Sequence, residues 1–311
     1  MRRNLPQLNI IRAIASLGVA IFHLGGKALP ILKWGWLGVE MFFVLTGFVI
    51  CWSLPENYSL KNFPTFIWKR LARVEPPYIL SIFIIIFLSF LLSEMKNINF
   101  INILFHFAYL NNFLNNNYLS PVYWTLGIEF QYYIFIGLLF PLIFYSNKTS
   151  ILFLILLNAI AYFYPSPYSI VLNFISFFSL GIIVYMYKSN RIQTSILVVL
   201  AILNILVIYF INGIPPTIAA ILTMLIILFF EKSNPIIDFF SKISFSLYLT
   251  HDIIASRLVV YIGNKFIIKT IFTKGFAFSI GIIVSIVLAY FFYILIEKRA
   301  LSLSKKLVYS V

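Results

Sequence analysis

Apolar runs of about 20 residues recur along the whole chain, and they limit the possible folds more than any other feature. A helix of that length crosses the roughly 30 Å hydrocarbon core of a bilayer. Only 10% of the residues are charged and 62% are hydrophobic, whereas a soluble domain carries about 25% charged residues. We therefore expect an all-α, polytopic membrane protein and exclude a soluble globular fold.

The apolar pattern predicts about ten transmembrane helices, with both termini in the cytoplasm. Short cytoplasmic loops are enriched in Lys and Arg. Fifteen of the 23 Lys and Arg residues lie in segments assigned to the inside, six lie outside, and Arg12 and Arg257 fall within spans. The predicted spans lie near residues 8–28, 35–54, 76–93, 122–144, 150–164, 168–187, 194–211, 215–230, 241–261 and 275–296.

Prolines predict two of the helix ends. The basic and aromatic segment FIWKRLAR predicts a short interfacial helix, which Pro76 and Pro77 end where the third span begins. Pro165 and Pro167 are predicted to end the fifth span. Between the third and fourth spans, residues 95–121 are polar and rich in Asn, which predicts a surface loop or a partly re-entrant cap. We expect one integral-membrane domain over residues 1–311 and no appended soluble domain.

The net charge of +14 does not indicate nucleic-acid binding, because the basic residues lie in short breaks between apolar runs. The single cysteine, Cys51, excludes an internal disulfide and a Cys-based zinc site. No HExxH motif is present, so no metal is expected. Membrane lipids are the partners that composition predicts, and the oligomeric state is left open.

The first two spans hold Arg12, His23 and Glu40 inside or beside apolar runs. Each such group costs about 2.5–3.5 kcal/mol at bilayer depth, so it is retained when it is paired or functional. The spacing leaves Arg12 and His23 within about 20° on the helix surface and about 16 Å apart along the axis. A carboxylate at Glu40 can accept from the imidazole and raise its basicity. The alternatives are a core histidine and an ion pair between Arg12 and Glu40.

Three further clusters carry groups with possible chemistry. Arg70 and Arg73 are i, i+3 on one helical face, and guanidinium pairs bind the phosphates of lipid headgroups or of a phosphorylated cofactor. Glu129 and Tyr133 are i, i+4 at the start of the fourth span, where Trp124 and Gln131 complete a predicted polar site. His251 either bonds within the bundle or contacts substrate. His106 has no acidic neighbour in the sequence and is interpreted as structural.

Taken together, these segments resemble the acyltransferase family 3 membrane proteins, bacterial transacylases that O-acylate cell-surface carbohydrates. Five matching segments occur in the family's order between residues 8 and 251. The resemblance implies acyl-CoA, usually acetyl-CoA, as a donor from the cytoplasm and a carbohydrate or lipid-linked glycan hydroxyl as acceptor. It also implies a bacterial cytoplasmic (inner) membrane. The segments are LNIIRAIASLGVAIFH, WGWLGVEMFFVLTGFVI, FIWKRLARVEPPY, YWTLGIEFQYYIF and ISFSLYLTH.

The resemblance assigns roles residue by residue. His23 matches the essential histidine as base or transient acyl carrier, and Glu40 occupies an acidic position where Asp is commoner. Phe130 replaces the second acid of the fourth-span motif, which argues against a role that needs two carboxylates there. The implied catalytic residues are His23, Glu40, Glu129 and Tyr133, the donor-binding residues are Arg12, Arg70 and Arg73, and the substrate-binding residues are Trp124, Gln131 and His251.

Two other function classes fit the same buried charges. A proton-coupled transporter or lipid-linked glycan flippase would use Arg12, His23, Glu40 and Glu129 as a relay. A non-catalytic sensor on the same fold would consume no thioester. Loss of the whole glycan in a deletion favours the transporter, whereas loss of ester groups alone favours the transferase.

Overall fold

The computed structural model describes residues 5–92, 98–114, 116–164, 166, 170–266 and 270–309, and these residues form helices and no strand. Three short 3₁₀ segments lie at Gly26–Ala28, Leu32–Leu37 and Leu60–Asn62. In chain order the α-helices are α1 Gln7–His23, α2 Gly38–Ser53, α3 Phe63–Leu91, α4 Phe100–Phe107, α5 Asn111–Leu114, α6 Tyr123–Ile143, α7 Asn147–Phe163, α8 Val171–Lys188, α9 Thr194–Asn212, α10 Ile214–Phe229, α11 Pro235–Thr250, α12 Arg257–Lys265, α13 Ile271–Phe292 and α14 Lys298–Lys306.

Seven helical segments of the described chain are long and apolar enough to cross a membrane. They are Leu32–Ser53, Leu60–Leu91, Tyr123–Ile143, Val171–Lys188, Thr194–Asn212, Pro235–Lys265 and Phe272–Lys306. Three shorter apolar helices, α1, α7 and α10, lie at the other predicted positions. The all-α prediction is confirmed, with several helices of membrane-spanning character. The count of ten spans and the orientation of the termini stay predictions.

The long helix α3 shows that the predicted helix end at Pro76 and Pro77 is wrong. The helix runs without interruption from Phe63 to Leu91 and contains both prolines. Neither proline has an N–H to donate to the carbonyl four residues earlier. Such prolines are tolerated in membrane helices because neighbouring groups satisfy the freed carbonyls. The basic segment and the third span are therefore one helix. Pro165 and Pro167, predicted to end the fifth span, lie outside the described residues.

Helix α2 lies at the centre of the bundle, between α1 and α8. Glycines allow this close packing, because a Cβ at Gly38 would lie 2.3 Å from the Ala15 carbonyl oxygen. On the other side of α2, a Cβ at Gly47 would lie 2.2 Å from the Phe178 carbonyl oxygen. Small residues of this kind let membrane helices approach each other closely. The backbones of α1, α2 and α8 therefore lie in close contact at these glycines.

Two π-helical turns interrupt the long C-terminal helices. One spans His251–Ser256 between α11 and α12, and the other spans Tyr293–Glu297 between α13 and α14. A π-turn rotates the following residues relative to the preceding helix, and such turns are frequent at functional sites. These two turns carry buried His251 and buried Glu297.

The Asn-rich segment after α3 folds into the short helices α4 and α5 over the start of α6. His106 is fully buried there, with its Nδ1 2.7 Å from the Asn102 carbonyl oxygen. The backbone N–H of Leu119 donates to its Nε2 at 3.0 Å. Both ring nitrogens are therefore engaged, in agreement with the structural interpretation of His106.

Candidate functional site

A cavity of about 130 Å³ opens between α1, α2, α3, α6 and α11. Four charged side chains line it: Arg12, Arg70, Arg73 and Glu129. Three guanidinium groups against one carboxylate leave a positive excess inside an otherwise largely apolar wall. Cationic groups are costly at membrane depth, and the imbalance is suited to an anionic ligand. The cavity thus brings together three arginines that lie on two helices.

Arg70 is held at the edge of this cavity by three contacts. Its Nη2 donates to the hydroxyl of Ser53, at the end of α2, at 2.6 Å. Its guanidinium carbon lies 5.3 Å from the ring centre of Phe66 and 5.9 Å from that of Tyr133. These distances are within the range of cation–π attraction. The guanidinium is therefore oriented in advance of any ligand.

Glu129 is fixed by hydrogen bonds to both of its carboxylate oxygens. Thr46 of α2 donates to Oε1 at 2.6 Å, and the hydroxyl of Tyr133 donates to Oε2 at 3.1 Å. The predicted i, i+4 relation of Glu129 and Tyr133 is thus a direct contact. These two hydrogen bonds fix the orientation of the Glu129 carboxyl group in the cavity that the arginines also line.

Tyr248 and Thr125 line one part of the cavity and are hydrogen-bonded to each other. Their hydroxyl oxygens lie 2.6 Å apart, and the Tyr248 hydroxyl also donates to the Val122 carbonyl oxygen at 3.2 Å. His251 follows on the next turn, with its ring centre 6.2 Å from that of Tyr248. Neither His251 nor His23 lines the cavity. We call the hydrogen-bonded pair of Tyr248 and Thr125 the tyrosine bar.

Beyond the tyrosine bar, His23 and His251 form a histidine pair. Their ring centres are 5.3 Å apart and their planes are inclined by 51°. The charge of Asp252, the residue after His251, acts on both imidazoles. Its Oδ2 accepts a hydrogen bond from Ser120 at 3.0 Å. The carboxylate beside the histidines therefore comes from the π-turn of the ninth predicted span.

Glu40 was expected to orient His23, and its contacts in the structure are few. The side chain is 7% exposed and its Oε2 has no hydrogen-bond partner among the described residues. No described hydrogen bond joins it to His23 or to Arg12. It lies in the first turn of α2, where the helix dipole favours a negative charge. A catalytic role for Glu40 stays a prediction.

Two of the predicted substrate-binding residues lie away from the cavity. The Trp124 ring packs against Phe174 with ring centres 5.3 Å apart and against Phe43 at 6.3 Å. Gln131 accepts a hydrogen bond from the backbone N–H of Val171, the first residue of α8, at 2.8 Å. This contact caps a helix, so it gives Gln131 a structural role that spacing alone did not indicate.

Glu297 is a buried carboxylate that the sequence reasoning missed. It is 4% exposed, and its Oε2 accepts from the Ser246 hydroxyl at 2.5 Å and from the Ser246 backbone N–H at 3.1 Å. The charges of Arg73 and Arg12 act on it. A lone acid at the end of the last apolar run is the signal that could have identified it. Within the described ranges, no group of three or more His, Cys, Asp or Glu could hold a metal ion.

Comparison with protein families gives one match, to the family described as acyltransferase domain, over residues 5–294. The chain is 34% identical over 137 residues to a protein of Acidianus two-tailed virus that is named as a proposed acetyltransferase. That alignment covers 43% of this chain and 40% of the viral protein. It is 32% identical over 160 residues to O-acetyltransferase OatA of Staphylococcus aureus, with 45% of this chain and 25% of OatA aligned.

A third relative, a proposed O-acetyltransferase of Staphylococcus aureus strain COL, is 29% identical over 209 residues. That alignment covers 60% of this chain and 31% of the relative. The aligned parts thus span well under two thirds of each of these relatives. No solved structure matches the chain.

Proposed function

Because this chain belongs to the acyltransferase domain family, we propose that it is a membrane-bound O-acetyltransferase. It transfers the acetyl group of acetyl-CoA to a hydroxyl of a cell-surface or lipid-linked carbohydrate. The relatives named as O-acetyltransferases support the reaction class. Residues 1–311 form one integral-membrane acyltransferase domain in this proposal.

The observation that carries the proposal is the positive cavity within the membrane bundle. Arg12, Arg70 and Arg73 line it together with apolar side chains. Acetyl-CoA carries several phosphates on one end and an uncharged pantetheine arm with a thioester on the other. The arginines suit the phosphates, and the apolar wall suits the arm. A lipid headgroup alone would not require arginines that line an internal cavity.

The proposed topology has ten transmembrane helices, with both termini in the cytoplasm, in the cytoplasmic membrane of a bacterium. The fifteen-to-six distribution of positive residues supports it. In that count Arg2, Arg3, Lys96 and Lys269 lie outside the described residues. In this orientation the start of α1 lies near the cytoplasm and His23 lies toward the outer side. The arginines then meet the donor and the histidine pair meets the acceptor.

In the proposed reaction the donor phosphates bind the three arginines and the thioester moves past the tyrosine bar to His23. His23 takes the proton of the acceptor hydroxyl, whose oxygen attacks the thioester carbonyl carbon. The C–S bond breaks, and the coenzyme A thiolate takes the proton from His23. If His23 is instead the acyl carrier, its nitrogen attacks first and the acceptor oxygen attacks the acyl-histidine. Either sequence yields one ester and one thiol.

The remaining site residues have supporting roles in this proposal. Glu129, held by Thr46 and Tyr133, lines the cavity with the arginines, and the Tyr133 ring lies 5.9 Å from the Arg70 guanidinium carbon. Trp124 provides an aromatic ring at the outer start of α6 for the sugar acceptor.

The test is acetyl transfer from radiolabelled acetyl-CoA by protein reconstituted in vesicles with envelope carbohydrate as acceptor. His23→Ala and Arg73→Ala should each lose transfer, while both variants still insert into the membrane. Arg191→Ala is the matched control, because its guanidinium packs over Phe144 and lies outside the cavity. Full activity of either site variant contradicts the proposal.

The second candidate, a proton-coupled transporter or lipid-linked glycan flippase, is favoured by one observation. Half-buried ionisable groups lie toward the two ends of α1, Arg12 near its start and His23 at its end, which is the arrangement of a proton relay. Mass spectrometry of surface glycans from deletion and parent cells separates the two. Loss of the glycan itself supports transport, and an intact glycan that lacks ester groups supports the transferase.

A further inference from the structure

His251 has a fixed tautomer in this structure. The ring is fully buried in the first position of the π-turn, and its Nδ1 lies 2.9 Å from the Leu247 carbonyl oxygen. A carbonyl oxygen can only accept, so Nδ1 carries the hydrogen in this contact. The other nitrogen, Nε2, then holds a lone pair and acts as an acceptor.

This acceptor is buried and has no hydrogen-bond partner among the described residues. Buried polar atoms in folded proteins almost always have partners, so such an exception needs an explanation. The neighbouring polar group is the ring of His23, 5.3 Å away between centres. An N–H of His23 can reach Nε2 by side-chain rotation, because His23 is the last helical residue of α1 and is only half-buried.

The carboxylates do not supply this partner. Glu40 makes no described hydrogen bond to His23, and its Oε2 is itself without a partner. Asp252 acts on both rings through its charge, but the hydrogen bond described for its Oδ2 comes from Ser120. Lys27 is the remaining charge that acts on His23. The unpaired lone pair of His251 is therefore the acceptor best placed to orient the His23 ring.

We propose that His251 is the positioning residue for His23. Its Nε2 accepts a hydrogen bond from one nitrogen of the His23 ring, so that the other nitrogen presents its lone pair to the reacting group. This inference rests on the proposed transferase function and assigns the partner of its histidine. His251 keeps its own hydrogen on Nδ1 throughout and exchanges no proton. The hydroxyl proton still passes to His23 and then to the thiolate, and Asp252 stabilises the transient positive charge.

In this proposal Nδ1 of His251 has a structural role and Nε2 orients His23. Two substitutions test the two roles separately. In His251→Asn the amide can keep the bond to the Leu247 carbonyl but has no atom at the Nε2 position. In His251→Gln the longer side chain places an acceptor oxygen near the Nε2 position and cannot carry a proton. A purely structural histidine should tolerate Asn at least as well as Gln.

The experiment measures kcat and the KM for acetyl-CoA with both variants reconstituted in vesicles. His251→Asn should lower kcat by about 10- to 100-fold, the effect of one lost hydrogen bond to a charged group, with an unchanged KM because the arginines are untouched. His251→Gln should recover most of kcat. Full kcat in His251→Asn, or equal losses in both variants, overturns the proposal.

The same substitutions at His106 are the matched control. His106 has the same bond from Nδ1 to the carbonyl four residues earlier, but its Nε2 already accepts from Leu119. His106→Asn and His106→Gln should therefore alter thermal stability and leave kcat of the folded protein unchanged.

Combining His251→Asn with His23→Ala distinguishes the possible failures. If His251 acts through His23, adding His251→Asn to the His23→Ala variant causes no further loss of kcat. Independent losses that multiply overturn the positioning role. If His23→Ala alone keeps full activity, the transferase proposal itself fails. If His23→Ala is inactive and His251→Asn is fully active, only the positioning role fails.

Discussion

Two buried histidines of this protein have the same local structure and differ in one contact. His106 and His251 are both fully buried, and the Nδ1 of each lies within hydrogen-bonding distance of the carbonyl oxygen four residues earlier, at 2.7 Å and 2.9 Å. The Nε2 of His106 accepts from the backbone N–H of Leu119, whereas the Nε2 of His251 has no described partner. Both ring nitrogens of His106 are therefore hydrogen-bonded, whereas His251 keeps one acceptor nitrogen without a described donor.

The surroundings explain the difference. Around His106, the chain between α5 and α6 folds back, so a backbone donor reaches the second nitrogen. Around His251, α1 brings a second imidazole, His23, and the π-turn brings Asp252. The Leu119 N–H fixes the His106 ring, whereas the His251 ring lies next to a titratable side chain, His23, and can act with it in chemistry.

The largest expected effect comes from removing the imidazole in each region. His23→Ala should lower acetyl transfer by about 10²- to 10⁴-fold, the usual contribution of a general base, while His106→Ala leaves kcat of the folded protein unchanged. Transfer assays at equal amounts of inserted protein measure this. A loss of kcat in His106→Ala as large as that in His23→Ala would remove the distinction between the regions.

The next largest effect is on folding stability, and here the larger loss is expected at His106 and not at the histidine pair. His106→Ala leaves the Leu119 N–H without its acceptor, which costs about 1–3 kcal/mol of folding free energy for a buried group. Thermal unfolding in detergent should show a lower midpoint, and His106→Gln, which offers an acceptor near the Nε2 position, should recover part of it. An unchanged midpoint in His106→Ala contradicts the structural role.

A pH dependence of stability should come from the His106 region. Burial lowers the pKa of His106 below its ordinary value, against the opposing effect of the hydrogen bond to Asn102. The folded state therefore favours the neutral ring. Its contribution is fully present above the ordinary histidine pKa of about 6.5 and is lost as the pH falls toward the lowered value. Thermal midpoints between pH 8 and pH 5, compared with those of His106→Gln, test this, because the variant should lose that part of the dependence.

The smallest effect is expected at the tyrosine bar beside His251. Tyr248→Phe removes the bonds to Thr125 and Val122, but the Thr125 hydroxyl is then free to donate to the Val122 carbonyl oxygen, 2.9 Å away. The cost should be about 0.5–1.5 kcal/mol, as for one ordinary hydrogen bond. Thioester hydrolysis without acceptor should rise because the donor cavity is less separated from the histidine pair.

Tyr132→Phe is the control for that measurement. Its hydroxyl bonds the Gly47 carbonyl oxygen at 3.4 Å, away from the histidines. Equal hydrolysis in the two variants would show that the tyrosine bar does not separate the two polar regions.

Much of the bundle was predictable, because apolar runs must be helical in lipid, where every backbone group needs an internal partner. Helices α6 and α9 lie within one residue of the predicted limits at each end. Charged residues inside those runs identified Arg12 and Glu129, which line the same cavity. The continuation of α3 through two prolines was not predictable from local rules, since the bundle compensates for the missing donors.

The sequence by itself determined that this chain is helical and membrane-embedded. It singled out Arg12, Arg70, Arg73 and Glu129, because burying charge in lipid is costly, and Tyr133, because it lies one helical turn from Glu129. Only the tertiary structure decided which groups meet. It gathered those five around one cavity and placed His251 next to His23. It also left Oε2 of Glu40 without a hydrogen-bond partner among the described residues and placed Gln131 at the start of α8. Hydrogen bonds between helices depend on the rotation and close approach of whole helices, which spacing along one chain does not encode.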